Sequence, residues 1–151
     1  MKIREIMERY VDVIARDADV RAAAIKMRDT SVTIIPVCDG PMFAGIITDR
    51  DIAVRLAAEG YDATRTLVGE IMTRDLTYCF EDQNIDDAAI VMQFHQISRL
   101  PILDRDHQLV GIVAMSDINK CLDAQSSAVA VELTKAGGVQ STPAIAALGR
   151  R

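Results

Sequence analysis

The chain predicts an α/β fold of α+β character, in which tandem β-α-β-β-α repeats close as a pseudo-two-fold pair. Three observations carry that prediction. The first is an internal duplication. Glu5-Ile6-Met7 returns as Glu70-Ile71-Met72, a shift of 72 − 7 = 65. At the same shift Asp17 meets Asp82, Ala23-Ala24-Ile25 meets Ala88-Ala89-Ile90, Met27 meets Met92 and Pro36 meets Pro101. Past a turn the shift becomes 66, so that Gly45-Ile46 meets Gly111-Ile112 and Asp51-Ile52 meets Asp117-Ile118. Two copies fall short of the three or more that a solenoid needs, which favours a closed pair over an array. The second observation is that each copy alternates helix-period and strand-type segments in the same order. The third is size and composition. With 151 residues, 50% of them hydrophobic and 26% charged, the chain suffices for one domain or two small packed ones.

Each copy opens on an extended stretch, Val11–Ile14 in the first and Leu76–Cys79 in the second. Asp19 and Asn84 then stand as N-caps, since their short side chains accept from the free N–H groups of a first helical turn. Val20, Ala23, Ala24 and Met27 follow at i, i+3, i+4 and i+7, as do Ile85, Ala88, Ala89 and Met92, which makes one apolar stripe on each helix. The runs Val32–Val37 and Ile97–Ile102 are β-rich. Because proline cannot donate to a ladder, each is expected to be an edge strand or to bulge at Pro36 or Pro101. Turns follow at Asp39-Gly40-Pro41 and Asp104-Arg105-Asp106-His107. The last strands, Phe43–Thr48 and Leu109–Ala114, lead into helices starting near Asp49 and Ser116. The expected boundaries are 1–60 for the first repeat, 61–67 for a linker, 68–123 for the second repeat, and 124–151 for a C-terminal helix and a tail fraying beyond Ala136.

Composition excludes several classes. No apolar run approaches the ~18 residues of a membrane span, and Met1-Lys2-Ile3-Arg4-Glu5 contains no apolar core of a secretory signal, so a cytoplasmic protein is expected. Seventeen Lys and Arg against 22 Asp and Glu give a net charge of −5, without the basic footprint of a nucleic-acid binder. Cys38, Cys79 and Cys121 are odd in number and far apart, which argues against a disulfide framework or a zinc module. Cys38 and Cys79 fall in strands and read as buried thiols. His95 and His107 have no partners at metal-ligand spacing and read as surface residues. There is no GxGxxG, P-loop, nucleophile elbow or pair of carboxylates set apart for acid–base work, and hence little support for an enzyme of familiar type.

Gly45-Ile46-Ile47-Thr48-Asp49-Arg50-Asp51-Ile52 closely resembles the glycine, hydrophobic strand, Thr-x-x-Asp, hydrophobic pattern of cystathionine-β-synthase (CBS) domains. Gly111-Ile112-Val113-Ala114-Met115-Ser116-Asp117-Ile118 resembles it less well, with alanine in the threonine slot. The Glu-Ile-Met opening, the Ala-Ala helix and the proline strand sit where that family has them. The resemblance spans residues 3 to about 122 and points to a stand-alone bacterial protein made of one CBS pair. It implies regulatory ligand binding, with no catalytic residues, in clefts between the two repeats. Such pairs bind adenosine derivatives (AMP, ADP, ATP, NAD or S-adenosylmethionine), of which AMP or ATP is expected foremost here. No cofactor or metal is required by the resemblance.

The implied site residues are Thr48, Arg50 and Asp51 of the first copy and Ser116 and Asp117 of the second. Arg99 lies two residues before Pro101, where relatives contact phosphate, and Ile34 holds the matching place in the first copy. Val13, Ile34, Tyr78 and Ile97 stand in the segments that wall the adenine. The chemistry fits. One ionised carboxylate accepts from both hydroxyls of a ribose, and a first-turn position keeps it ionised. First-turn N–H groups and the Arg50 guanidinium suit phosphate. Read without the resemblance, Thr48-x-x-Asp51 is a helix cap with a reciprocal acid, close to a capping box. Ser116 is then only a cap and Arg99 a solvated strand residue.

Three functional classes follow: an adenine-nucleotide sensor acting on an unidentified partner protein, a nucleotide-free interaction or stress-response module, and a thiol- or metal-dependent redox protein. The resemblance also implies a homodimer, paired through the helices at Asp19–Arg28, Asp51–Glu59, Asn84–Gln93 and Asp117–Ala124. No nucleic acid or membrane partner is expected.

Overall fold

The computed structural model describes residues 1–74 and 76–135, with side chains through residue 127. The expectation of a fraying tail beyond Ala136 lies outside the described residues. The described residues form two three-stranded sheets, ordered β1-β2-β3 and β4-β5-β6. The first comprises β1 (Ile14–Ala15), β2 (Ile34–Asp39) and β3 (Met42–Thr48), with α1 (Val20–Thr30) between β1 and β2. After β3 the chain turns at once into α2 (Asp49–Asp51), which continues as a π-helix over Ile52–Ala57. A short α3 (Val68–Ile71) precedes β4 (Cys79–Phe80), α4 (Ile85–His95), β5 (Arg99–Leu103), β6 (Leu109–Ala114) and the long α5 (Met115–Lys135).

The predicted helices form for the predicted reasons. Asp19 caps α1 by accepting from Ala22 N at 2.7 Å, and Asn84 is the N-cap of α4. Val20, Ala23 and Met27 are buried in one core, and Ile85, Ala88, Ala89 and Met92 in the other. Both helices end on a left-handed non-glycine residue, Ser31 (φ 55°) and Gln96 (φ 54°), a symmetry the residue types do not announce.

The opening strands are shorter and later than expected. Val11–Val13 lie outside β1, and Leu76–Tyr78 outside β4. The proline expectation also needs correcting, because β2 is the central strand of its sheet. Ile46, the partner of Pro36 on β3, exchanges both its backbone hydrogen bonds with Thr73. Pro36 therefore sits in a non-hydrogen-bonded pair, its nitrogen turned away from β3. On that other flank β1 pairs only with Val37 and Cys38. The missing N–H faces a stretch that β1 does not reach, and the bulge comes one step later, between Val37 and Cys38.

The chain divides into two compact units that are not cut where the sequence repeats are. One unit comprises Met1–Arg9, Thr77–Ile102 and the chain from Val110 into α5; the other comprises Tyr10–Leu76 and Leu103–Leu109. Each Glu-Ile-Met opening thus joins the unit built mainly from the other copy. Ile3 and Met7 are buried with Ile85, Met92 and Leu100, whereas Val68, Ile71 and Met72 are buried with Val20, Ile35 and Ile47. The backbone contacts are mirrored. Thr73 exchanges hydrogen bonds with Ile46 as Glu8 does with Ile112. Gly69 N donates to the Arg16 carbonyl as Arg4 N donates to that of Glu81. The Arg74 guanidinium holds the Gly69 carbonyl as Arg9 holds that of Arg4.

This exchange accounts for the glycine of each motif. A Cβ on Gly45 would lie 2.5 Å from the Thr73 carbonyl oxygen, and one on Gly111 would lie 2.7 Å from the Met7 sulfur and 2.9 Å from the Glu8 carbonyl oxygen. Backbone oxygen has little freedom to retreat, so Gly45→Ala is expected to cost about 1–3 kcal/mol through overpacking. Urea unfolding checks this. A variant with an unchanged midpoint would show that the opening segment is not held there.

Candidate functional site

In the first-copy unit the sequence motif becomes a closed polar knot. Thr48 ends β3 opposite Ile34 of β2, and Asp49 N donates to the Thr33 carbonyl at 3.0 Å. That contact turns the chain into α2. Thr48 Oγ1 accepts from Asp51 N at 3.0 Å, and Asp51 Oδ2 accepts from Thr48 N at 3.0 Å, a reciprocal capping box. Thr73 Oγ1 lies 3.0 Å from Asp51 Oδ1 and 3.1 Å from Oδ2. Arg55, one turn on, places Nη1 3.7 Å from Oδ1 and donates from the same nitrogen to the carbonyls of Ile71 (3.2 Å) and Met72 (3.0 Å). Asp51 is the one buried charged residue among those described, 7% exposed.

Of the sequence-predicted residues of this copy, the structure brings Ile34, Thr48 and Asp51 together. Arg50 is exposed in the middle of the same turn. Val13 is half-exposed just before β1, and its carbonyl accepts from Lys26 Nζ at 2.7 Å, which anchors a cation there. One expectation is corrected. The first-turn N–H groups of α2 are all engaged, by the Thr33 carbonyl, the Asp49 carboxylate and the Thr48 hydroxyl, so they offer no cradle for phosphate.

The second copy is built differently. Ser116 and Asp117 are exposed in the first turn of α5, and Asp117 lies 3.8 Å from Lys120. Met115 N donates to the Ser98 carbonyl, the mirror of the Asp49–Thr33 bond. Ile97, Ser98 and Met115 line a cavity of about 350 Å³ with Met92, Gln93 and Gln96. Arg99 is exposed at the start of β5, and Tyr78, half-buried before β4, meets Phe80 edge-on with ring centroids 5.5 Å apart. Ala114, Glu8 and Cys121 stand where the first-copy unit has Thr48, Thr73 and Arg55. The shared carboxylate is therefore caged in one unit and open in the other.

Sequence reasoning missed Thr73, Arg55 and Lys26. Arg55 sits at i+4 from Asp51, a spacing that suits an ion pair. Thr73 gave no signal, because it follows the second Glu-Ile-Met yet serves the first-copy unit. A further cavity of about 360 Å³ lies at the carboxyl ends of β1 and β2, lined by Arg16, Cys38, Asp39, Glu70 and Arg74 among others, and includes none of the predicted residues. Its arginines are occupied: Arg16 lies 3.5 Å from Asp39, and Arg74 binds the Gly69 carbonyl.

The three cysteines are free thiols. Burial pushes the Cys38 thiol up, and burial together with the Asp87 charge pushes Cys79 up to about 11, which keeps both protonated and unreactive at neutral pH. Among the described residues, no three His, Cys, Asp or Glu side chains form a metal-binding group, and no helix is long and apolar enough to cross a membrane.

The pattern that defines the CBS domain matches residues 3–58 and 68–124. The CBS domain-containing protein YhcV of Bacillus subtilis is 37% identical over 116 residues, which is 77% of this chain and 81% of that protein. The crystal structure of hypoxic response protein I with two coordinated zinc ions is similar with a TM-score of 0.72 and 32% identity, covering 80% of this chain and 98% of that one. The CBS domain pair of protein MJ0100, in complex with 5′-methylthioadenosine and S-adenosyl-L-methionine, is similar with a TM-score of 0.69 and 28% identity, covering 83% and 98%. With both copies matched in the same order along the sequence, the chain belongs to the CBS domain family, as a tandem pair.

Proposed function

We propose that this chain is a non-enzymatic, cytoplasmic regulatory module that binds an adenosine-containing ligand, with AMP or ATP foremost, and alters its affinity for a partner protein in response. The observation that carries the reading is the first-copy knot, in which one buried carboxylate is held beside an apolar strand residue and the Arg55 guanidinium. Asp51 receives the ribose diol. Ile34 and Val13 flank the adenine. Arg50, with Lys26 near Val13, meets phosphate, because the helix N–H groups are taken. The similarity to a CBS pair bound to two adenosine derivatives supports this choice of ligand class.

Ligand at 100 times its dissociation constant stabilises the native state by about 2.7 kcal/mol, or roughly 5–10 °C in melting temperature for a chain of this size. A thermal-shift panel of AMP, ADP, ATP, NAD and S-adenosylmethionine is expected to show that rise with at least one member. Asp51→Ala is expected to remove it. The absence of any shift at millimolar ligand would overturn the sensor reading and favour a nucleotide-free interaction module.

A second reading draws on the zinc-bound relative, in which this chain would hold metal instead. Native mass spectrometry of protein purified from cells separates the two. The expected species is a homodimer carrying nucleotide and no zinc. The exposed apolar pair Ile90 and Phe94, one turn apart on α4, favours self-association. A monomer would refute the dimer, and one zinc per chain would favour the metal reading.

A further inference from the structure

Asp51 is the residue on which the proposed function rests, yet its carboxylate is already occupied. A carboxylate offers about four acceptor directions. One, on Oδ2, takes Thr48 N–H. The Arg55 guanidinium stands 3.7 Å from Oδ1. The single Thr73 hydroxyl straddles both oxygens, at 3.0 and 3.1 Å. A vicinal diol binds a carboxylate by delivering one O–H to each oxygen, so it needs the same face that Thr73 covers. Asp51 is only 7% exposed, so little of its carboxylate is left to such a ligand while Thr73 stays in place.

We propose that Thr73 is a built-in competitor: its hydroxyl fills the ribose-acceptor position of the first-copy site and must rotate away before a nucleoside can bind. This inference rests on the sensor reading and adds to it a means of setting affinity. The rotation is local. Thr73 N and O remain paired with Ile46 O and N at 2.8 and 3.0 Å, so the backbone stays fixed while the side chain changes rotamer. Arg55, tied to the Ile71 and Met72 carbonyls, holds the segment that presents Thr73. The second-copy unit lacks the device, having Glu8 and Cys121 at these places and an exposed Asp117. The two sites therefore differ by an internal competitor in one of them, beyond the loss of a threonine in the other.

The test is isothermal titration of the full chain with AMP, comparing wild type, Thr73→Val, Thr73→Ser and Thr73→Val combined with Asp51→Ala. A hydrogen bond to a charged acceptor is strong enough that removing the competitor is expected to tighten AMP binding about tenfold. Thr73→Ser, which restores the hydroxyl, is expected to bind as wild type does, and the double variant is expected to lose the gain. Binding by Thr73→Val alone, with none by wild type, also supports the proposal. Wild-type binding that Thr73→Val leaves equal or weakens overturns the competitor role and leaves the sensor reading standing. No binding by either protein overturns both. Thermal melts establish that each variant is folded, and Thr73→Ala replaces Thr73→Val if the valine variant is not.

Discussion

Replacing Ile71 by alanine is expected to loosen the strands of the first repeat, although Ile71 belongs by sequence to the second. Ile71 is 3% exposed and packs in the core with Val20, Ile35 and Ile47. Truncating a buried isoleucine to alanine costs about 2–5 kcal/mol. Amide hydrogen exchange reads where that loss falls, because compact units open with their own free energies. Protection is expected to drop in β2 and β3, by roughly tenfold for each 1.4 kcal/mol. Ile3→Ala is expected to do the converse, lowering protection in β5 and β6. Ile3 belongs by sequence to the first repeat but is fully buried with Ile85, Leu100 and Ile102. A larger loss in β5 and β6 than in β2 and β3 on changing Ile71 would sink the exchanged assignment.

The two motif aspartates are expected to differ sharply in their contribution to stability, despite occupying the same place in the repeat. Asp51→Ala removes the acceptor of Thr48 N–H and of the Thr73 hydroxyl, and leaves the Arg55 guanidinium without its nearby carboxylate. Losing a cap costs about 1 kcal/mol, and losing a hydrogen bond to a buried charge costs about 1.5–3. Together these give about 2.5–4 kcal/mol, or roughly 5–15 °C in melting temperature. Asp117→Ala removes an exposed carboxylate 3.8 Å from Lys120. Exposed pairs contribute about 0–1 kcal/mol, so the shift is expected to stay below about 4 °C. Thermal denaturation of both variants without ligand checks this. Comparable falls would mean that the Thr73–Asp51–Arg55 knot adds nothing to the fold.

Much of the local structure was legible from residue types because its causes are local. Asp19 and Asn84 cap their helices wherever the helices go, and the stripes of Val20–Met27 and Ile85–Met92 admit only one buried face. The reciprocal cap of Thr48 and Asp51 was visible in the spacing, since both members lie within one turn. Pro36 was only half legible. The sequence says that one N–H is missing. Which flank it faces depends on the pairing of Ile46 with Thr73, a residue 27 positions away. The π-helix after Asp51 and the left-handed ends at Ser31 and Gln96 had no marker, because no glycine or proline stands there to announce them.

By itself the sequence determined that this protein is two copies of one β-α-β-β-α unit, that each helix has one apolar face, and that the first copy carries the fuller Thr-x-x-Asp motif. Repetition and periodicity are properties of order along the chain. Only the tertiary structure decided which core each Glu-Ile-Met opening enters, and so which of two equivalent aspartates is caged. The apolar residues of an opening segment suit either core equally well by type. The close approaches follow that pairing, with Gly45 leaving room for the Thr73 carbonyl and Gly111 for Met7 and Glu8. Once Thr73 lies beside β3, its hydroxyl reaches Asp51, 22 positions away in sequence.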